Sequence, residues 1–300
     1  MASQRSLHRN KAAIILITCL SLSWPAAVKP QDTRPAAVPQ DPLLADILAR
    51  SAAYCEKVKA MALFYVCRPK IKAVRFSYRQ RWVDAGPVQG TEKTFLQAKR
   101  VKFEARGSRT NHYLYDYQLV NKDGAVSERW TLIGENGRKR QQEVAGPKDI
   151  RFSAAQLVYG PVGFLANSWQ DHFRYEVGGR EVVDDREAVV IRCEPRIRGR
   201  DNDNVGRIWV DSEDRSILQI EWEPSSIEGY NDKAPEGYGR GVVWKVSYGV
   251  EKNGVRFPSR QVVQEYLLDE KGLKIPLEEV TFLYLDYKFF TVGVEVKYRS

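Results

Sequence analysis

The sequence predicts a mainly β (α+β) protein: one large curved antiparallel sheet forming an unclosed β-barrel, covered by an N-terminal helix and an inserted helical segment. Three observations carry this. From about residue 61 the chain is a near-continuous series of runs rich in β-branched and aromatic residues, separated by turn signals. Only two regions, 42–59 and about 153–171, read as helical, so little else is left to cover a sheet. Roughly eleven strands are also many for an open sheet, which tends to curl at that size.

The elements follow in order. Arg5, Arg9 and Lys11 precede the apolar run AAIILITCLSLSW, which ends at the small residues Pro25-Ala26-Ala27, so residues 1–27 read as a secretory signal peptide. The run is too short, and too soon interrupted by Pro25, for a membrane span. The mature chain is therefore expected without a transmembrane segment and outside the cytoplasm. Cys19 offers lipid attachment as a rival, but Thr18 stands where a lipobox wants a small residue and the apolar run continues through Leu22. Residues 28–41 are a proline-rich linker, and residues 42–300 are read as a single domain without an internal repeat.

Asp41-Pro42 opens a helix, as N-cap and first-turn proline. Leu44, Ile47, Leu48, Ser51, Tyr54, Cys55 and Val58 then form one stripe that must lie on something. The runs IKAVRFSYRQRWV, KRVKFEAR, HYLYDYQLV and SERWTLIGE follow as strands. In the insertion, Ser153 with Gln156 resembles a capping box, and Gly160-Pro161 predicts a break or kink. Strands resume from FRYEV to FFTVGVEVKY, the last with Phe290, Val292, Val294, Val296 and Tyr298 on one face. Gly237-Tyr238-Gly239-Arg240-Gly241 reads as a mobile rim loop with the wrong spacing for a dinucleotide.

Charge and cysteines narrow the function classes. Removing residues 1–27 takes away Arg5, Arg9 and Lys11 and no acid, so the formal charge falls from +9 to +6. Both signs are mixed throughout the rest, without the basic block of a nucleic-acid patch. A mild attraction to anionic headgroups or wall polymers is the most this charge implies. Of the remaining cysteines, Cys55 and Cys67 are close enough in sequence to pair in an oxidising compartment, a loop closure worth about 2–3 kcal/mol. Cys193, in AVVIRC, reads as an inert core thiol.

The hairpin VGRIWVDSEDRSILQIEWEP, Val205–Pro224, bears on the site. Leu218, Ile220 and Trp222 share one parity; Ile208 and Val210 share another, with Trp209 opposing them. Wrapped around one or two helices, such a sheet has an apolar concavity that is either packed core or a pocket. Together with the leader, the amphipathic helix, the meander and its helical insertion, the G-x-IWVD-x-x-D-x-x-I-L-x-I-E hairpin resembles the LolA-like superfamily. The likeness covers most of residues 42–300 and includes Tyr54-Cys55…Cys67, Tyr115–Leu119, Ser127–Leu132, Ile208–Asp211, Phe257–Ser259 and Phe289–Val292. It implies a periplasmic carrier, receptor or sensor of lipoproteins on an unclosed barrel with a helical lid. No motif here maps onto the functional residues of the carrier.

Signals for catalysis are weak. His112 and His172 stand in no spaced ligand set, so no metal and no cofactor are expected. Asp201–Gly206 fails as a calcium loop, since Val205 replaces an oxygen ligand and Ser212 stands where the bidentate Glu belongs. Asp184, Asp185, Glu194 and Glu221 are carboxylates of the type a glycosidase pairs, without a spacing that selects any two. The expected function is therefore non-catalytic: an envelope protein holding a lipid, an acyl chain or a lipidated protein on its concave face. Trp209, Trp222, Leu218 and Ile220 are the expected lining, with Phe164, Leu165 and Trp169 as lid. The alternatives are a scaffold or sensor with a packed interior that binds an envelope protein partner, and, behind it, a carboxylate-based hydrolase.

Overall fold

A computed structural model describes residues 41–87, 97–122, 125–147, 160–197, 205–224 and 233–290. The expected signal peptide, nearly all of the expected linker, and the readings made at Ser153–Gln156, at Asp201–Asn204 and after Phe290 fall on positions outside these residues. Among them no helix is long and apolar enough to cross a membrane.

Helix α1, Pro42–Met61, begins where the cap residues place it: the Asp41 carboxylate accepts from Leu43 N at 2.9 Å. Its buried residues are Leu44, Ile47, Leu48, Ser51, Tyr54, Cys55 and Val58, the stripe read from the spacing. The strands are β1 Tyr65–Pro87, β2 Gln97–Lys122, β3 Ala125–Glu135 and β4 Arg138–Val144. Two short helices follow, α2 Gly160–Leu165 and α3 Asn167–Gln170. The chain continues with β5 Phe173–Val183, β6 Arg186–Pro195, β7 Gly206–Asp211, β8 Ile217–Trp222 and β9 Gly239–Ser247. Last come β10 Val250–Lys252, β11 Val255–Phe257, β12 Arg260–Leu268 and β13 Lys274–Phe289.

Eleven strands form one antiparallel sheet in the order β4-β3-β2-β1-β13-β12-β9-β8-β7-β6-β5. The chain runs outward from β1 to one edge at β4, re-enters at the other edge at β5, and works back until β13 pairs with β1. The two edges are not paired, so the barrel is unclosed, with α2 and α3 on the connection between them. The β10–β11 hairpin lies apart from the sheet and against α1, where Arg256 N donates to Tyr54 Oη at 3.0 Å.

The main core lies between the inner face of the sheet and the helices, and it unites α1, α2 and residues from ten of the sheet strands and β11. A second, small cluster of Ala188, Val190, Trp209 and Leu218 packs on the outer face of β6–β8.

Several expectations are corrected. Gly160-Pro161 stands at the start of the described part of α2, so the break expected there lies at the boundary of the described residues, and a further break falls at Ala166 (φ −61°, ψ 144°) between α2 and α3. Cys55 and Cys67 are not bridged: both are free and buried. They face different surroundings, the Cys55 thiol donating to Pro161 O at 3.4 Å on α2, and Cys67 lying by Tyr287 on β13. Gly237–Gly241 is not a rim loop: Gly239 opens β9, Tyr238 Oη donates to Val101 O at 2.9 Å, and the Arg240 guanidinium pairs with buried Glu265.

Candidate functional site

The residues named for the concave face are divided between two faces. Ile220, Trp222, Phe164 and Leu165 belong to the main core, with Trp169 half-buried against it. Trp209 and Leu218 belong to the outer cluster. A β-bulge is the cause: Trp209 lies opposite Gln219 but Val210 lies opposite Ile217, so Leu218 is the extra residue. The bulge ends the alternation that would have put Leu218 beside Ile220 and brings Ile217 to the core instead. Trp209 is held outside by its indole N–H donating to Glu181 Oε2 at 2.8 Å and by the Arg207 guanidinium 5.4 Å over its ring.

On the inner face Trp222 stacks on Trp244, ring centres 4.7 Å apart at 25°, and Phe164 of α2 lies 6.0 Å from Trp222. Trp244 on β9 was not singled out from the sequence, although VVWKVSYGV alternates with Trp244 in phase with Val242 and Val246. The cover is set close. A Cβ on Gly160 would meet Trp222 Cζ2 at 2.9 Å, and one on Gly206 would meet Glu221 O at 2.7 Å and Phe164 Cζ at 3.2 Å. Polar ties on this cover include Gln170 Nε2 donating to Leu48 O and Leu165 O, each at 2.8 Å, Tyr175 Oη donating to Phe164 O at 2.5 Å, and the Cys55 thiol donating to Pro161 O at 3.4 Å. The indole N–H groups of Trp222 and Trp244 are both buried and have no hydrogen-bond partner among the described residues.

At the other end of the core the packing is aromatic. Tyr65 meets Phe257 at 5.0 Å and Tyr287 at 5.4 Å, and Tyr117 meets Trp130 at 4.4 Å. Glu128 sits at its rim, accepting from Tyr117 Oη and Trp130 Nε1, each at 3.0 Å. Burial pushes its carboxyl pKa up, against the lowering effect of those two donors.

The outer face carries a cavity of about 510 Å³ over β3, β2, β1 and β13. Arg68 spans it, donating from Nε to Asp116 at 3.1 Å and from Nη1 to Asp286 at 3.2 Å. Arg129 and Lys288 complete its charged wall.

The remaining candidates for chemistry are scattered. Asp184 and Asp185 form the tight β5–β6 turn with φ of 48° and 63°. Glu221 pairs with Arg207 at 2.6 Å, and Glu194 lies 3.8 Å from Arg192. His172 packs its ring against Trp169 at 5.3 Å, while exposed His112 lies on β2. Among the described residues no group of three or more His, Cys, Asp or Glu could hold a metal ion.

Comparison with known proteins finds no matching family model and no matching curated protein. Among solved structures, the chain is similar to a DUF1329 family protein from Desulfovibrio piger, with 10% identity over 85% of this chain and 96% of that one, at a TM-score of 0.38. It is similar to a LolA superfamily protein from Nitrosomonas europaea, with 11% identity over 81% and 94% and a TM-score of 0.32. A third likeness is to the MucA/MucB complex of Pseudomonas aeruginosa, with 12% identity over 82% and 99% and a TM-score of 0.22. These are likenesses of general architecture, and no ligand, partner or residue role is carried from them.

Proposed function

We propose that the protein is a non-catalytic binding protein of the bacterial envelope that takes an acyl chain, free or on a lipidated protein, onto its inner face beneath α2 and α3. One observation supports this above the others. The stacked Trp222–Trp244 floor is apolar, yet it holds two buried N–H donors without partners among the described residues, with Phe164 of α2 set over it. An amphiphile with a carbonyl next to its chain matches that combination, because it supplies apolar surface and an acceptor together. The close approaches at Gly160 and Gly206 favour a second reading, a permanently packed interior with a protein partner bound on the outside. The acyl-chain reading requires the cover to move, so the bound and free states differ there.

A brominated fatty acid separates the two. Bromine quenches indole emission only at close range, so uptake beneath the cover dims the core tryptophans. The expected result is saturable quenching that is reduced in the Trp222→Phe/Trp244→Phe variant, with a stoichiometric guest in native mass spectrometry. Absence of both quenching and guest in the folded parent protein leaves the packed scaffold as the function.

A further inference from the structure

We propose that the ribbon formed by β1 and β2 beyond Arg75 docks the protein on an anionic lipid bilayer. The starting point is where the charge lies. Strands β1 and β2 contain twelve Lys and Arg and three Asp and Glu, a net +9 equal to the formal charge of the whole 300-residue chain. The rest of the molecule sums to neutrality. Along the sequence these cations are spread out (Arg68, Lys70, Lys72, Arg75, Arg79 and Arg81 on β1) and never form a block. Strand pairing gathers them.

From Phe76 onward β1 pairs with β2 alone, because its pairing with β13 ends at Arg75 opposite Glu278. The ribbon so formed has two unlike faces. Arg79 and Arg81 lie opposite Glu104 and Lys102 on one, and Gln80 and Trp82 lie opposite Phe103 and Val101 on the other. Arg79, Arg81, Lys102, Arg106 and Arg109 are all exposed, and of these only Arg81 has an acid within ion-pair range among the described residues, Glu104 at 3.6 Å. Arg75 lies directly opposite Arg109 and Arg81 opposite Lys102, so cross-strand pairing sets cations side by side, with Glu278 2.8 Å from Arg75 and Glu104 3.6 Å from Arg81 as their acidic neighbours.

The second, independent feature is apolar. Trp82 is 64% exposed, and Leu273 at the neighbouring β12–β13 turn is 65% exposed. Leu273 shares a cavity of about 350 Å³ with Val101, Lys102 and Tyr238, which places the two apolar side chains at one end of the molecule. Three acids, Glu236, Asp269 and Glu270, also line that cavity, so the cationic field comes from the ribbon itself. A soluble polyanion would be satisfied by the arginines and lysines alone. Exposed tryptophan and leucine flanked by cations match a bilayer surface, where an indole sits at headgroup depth and basic side chains meet anionic lipids. This inference does not depend on whether the inner face takes a guest.

The test is co-sedimentation of the secreted protein with vesicles of phosphatidylcholine alone and of equimolar phosphatidylcholine and phosphatidylglycerol. The parent protein is expected to bind the anionic vesicles strongly and the neutral ones weakly, with binding lost as salt is raised. The variant Arg79→Ser/Arg81→Ser/Lys102→Ser/Arg106→Ser alters only exposed positions and should weaken binding about fivefold per cation removed. Trp82→Ala should weaken it several-fold with the charge unchanged. Any leader that persists is common to all of these proteins and cannot produce the differences. Equal binding to both vesicles, or undiminished binding by the fourfold variant, overturns the proposal. Capture of soluble polyglutamate without vesicle binding also overturns it, in favour of an acidic polymer.

Discussion

Asp211 shows what a single buried carboxylate does in this fold. It ends β7 and is only 2% exposed. One oxygen accepts from Glu213 N at 2.8 Å and Asp214 N at 3.0 Å, closing the turn to β8, and the other accepts from Arg186 Nε at 2.5 Å. Burial pushes its pKa up, but the Arg186 guanidinium and the two backbone N–H groups outweigh burial and hold it below the usual value. A carboxylate with a depressed folded-state pKa stabilises the protein above its unfolded pKa, about 3.9, and that stability is lost as pH falls through the folded value. Asp211→Ala removes three hydrogen bonds to a charged acceptor and should cost about 2–3 kcal/mol at neutral pH. Urea unfolding of parent and variant across pH should show the gap narrowing in acid; a gap of constant size would mean that Asp211 contributes shape rather than charge.

Helix α2 is placed by two missing side chains. Gly206→Ala puts a methyl 2.7 Å from the Glu221 carbonyl and 3.2 Å from the Phe164 ring, so β7 must shift from β8 or α2 must lift. Overpacking of this kind costs about 1–3 kcal/mol, seen as a lower melting temperature. If α2 is the part that yields, the same variant should take up the brominated fatty acid more readily; if β7 yields, stability falls with uptake unchanged. The elements differ in how legible they are in the sequence, for physical reasons. Helix α1 could be read residue by residue, because capping and a 3.6-residue stripe are local properties. The tryptophan stack could not, because it depends on β8 pairing with β9. Leu218 falls on the other face because it is itself the bulge residue, so Ile217 before it and Ile220 and Trp222 after it reach the core out of simple alternation, and nothing in SILQIEW marks where the extra residue falls. The cationic ribbon escaped notice for the same reason: cations spaced two to four residues apart look diluted until a second strand is laid beside them.

At the scale of the whole molecule, the sheet is joined along one seam. Among the described residues, the first four strands and the later ones are paired in the sheet where β1 meets β13, over a register from Tyr65 opposite Phe289 to Arg75 opposite Glu278. That seam lies inside the sheet, with Tyr65 and Tyr287 packed on Phe257 of β11, Ile71 and Phe282 fully buried, and Ala73 and Val280 nearly so. The edges are different: every β4 residue from Arg138 to Glu143 is exposed, and β5 is mostly exposed beyond Val177. Local opening follows burial and the loss of backbone pairing, so edge strands exchange their amides through small fluctuations while the seam opens only with the whole sheet. Hydrogen exchange followed by mass spectrometry should therefore find slow, denaturant-sensitive exchange in β1 and β13, although they stand near opposite ends of the sequence, and fast exchange in β4. If β13 exchanged as rapidly as β4, the sheet would have to part along the seam. The two halves would then be independent units, and the inner face would open between β1 and β13 rather than beneath α2. Slow exchange along the seam with faster exchange in α2 and α3 is the pattern that an acyl-chain site under a movable cover requires.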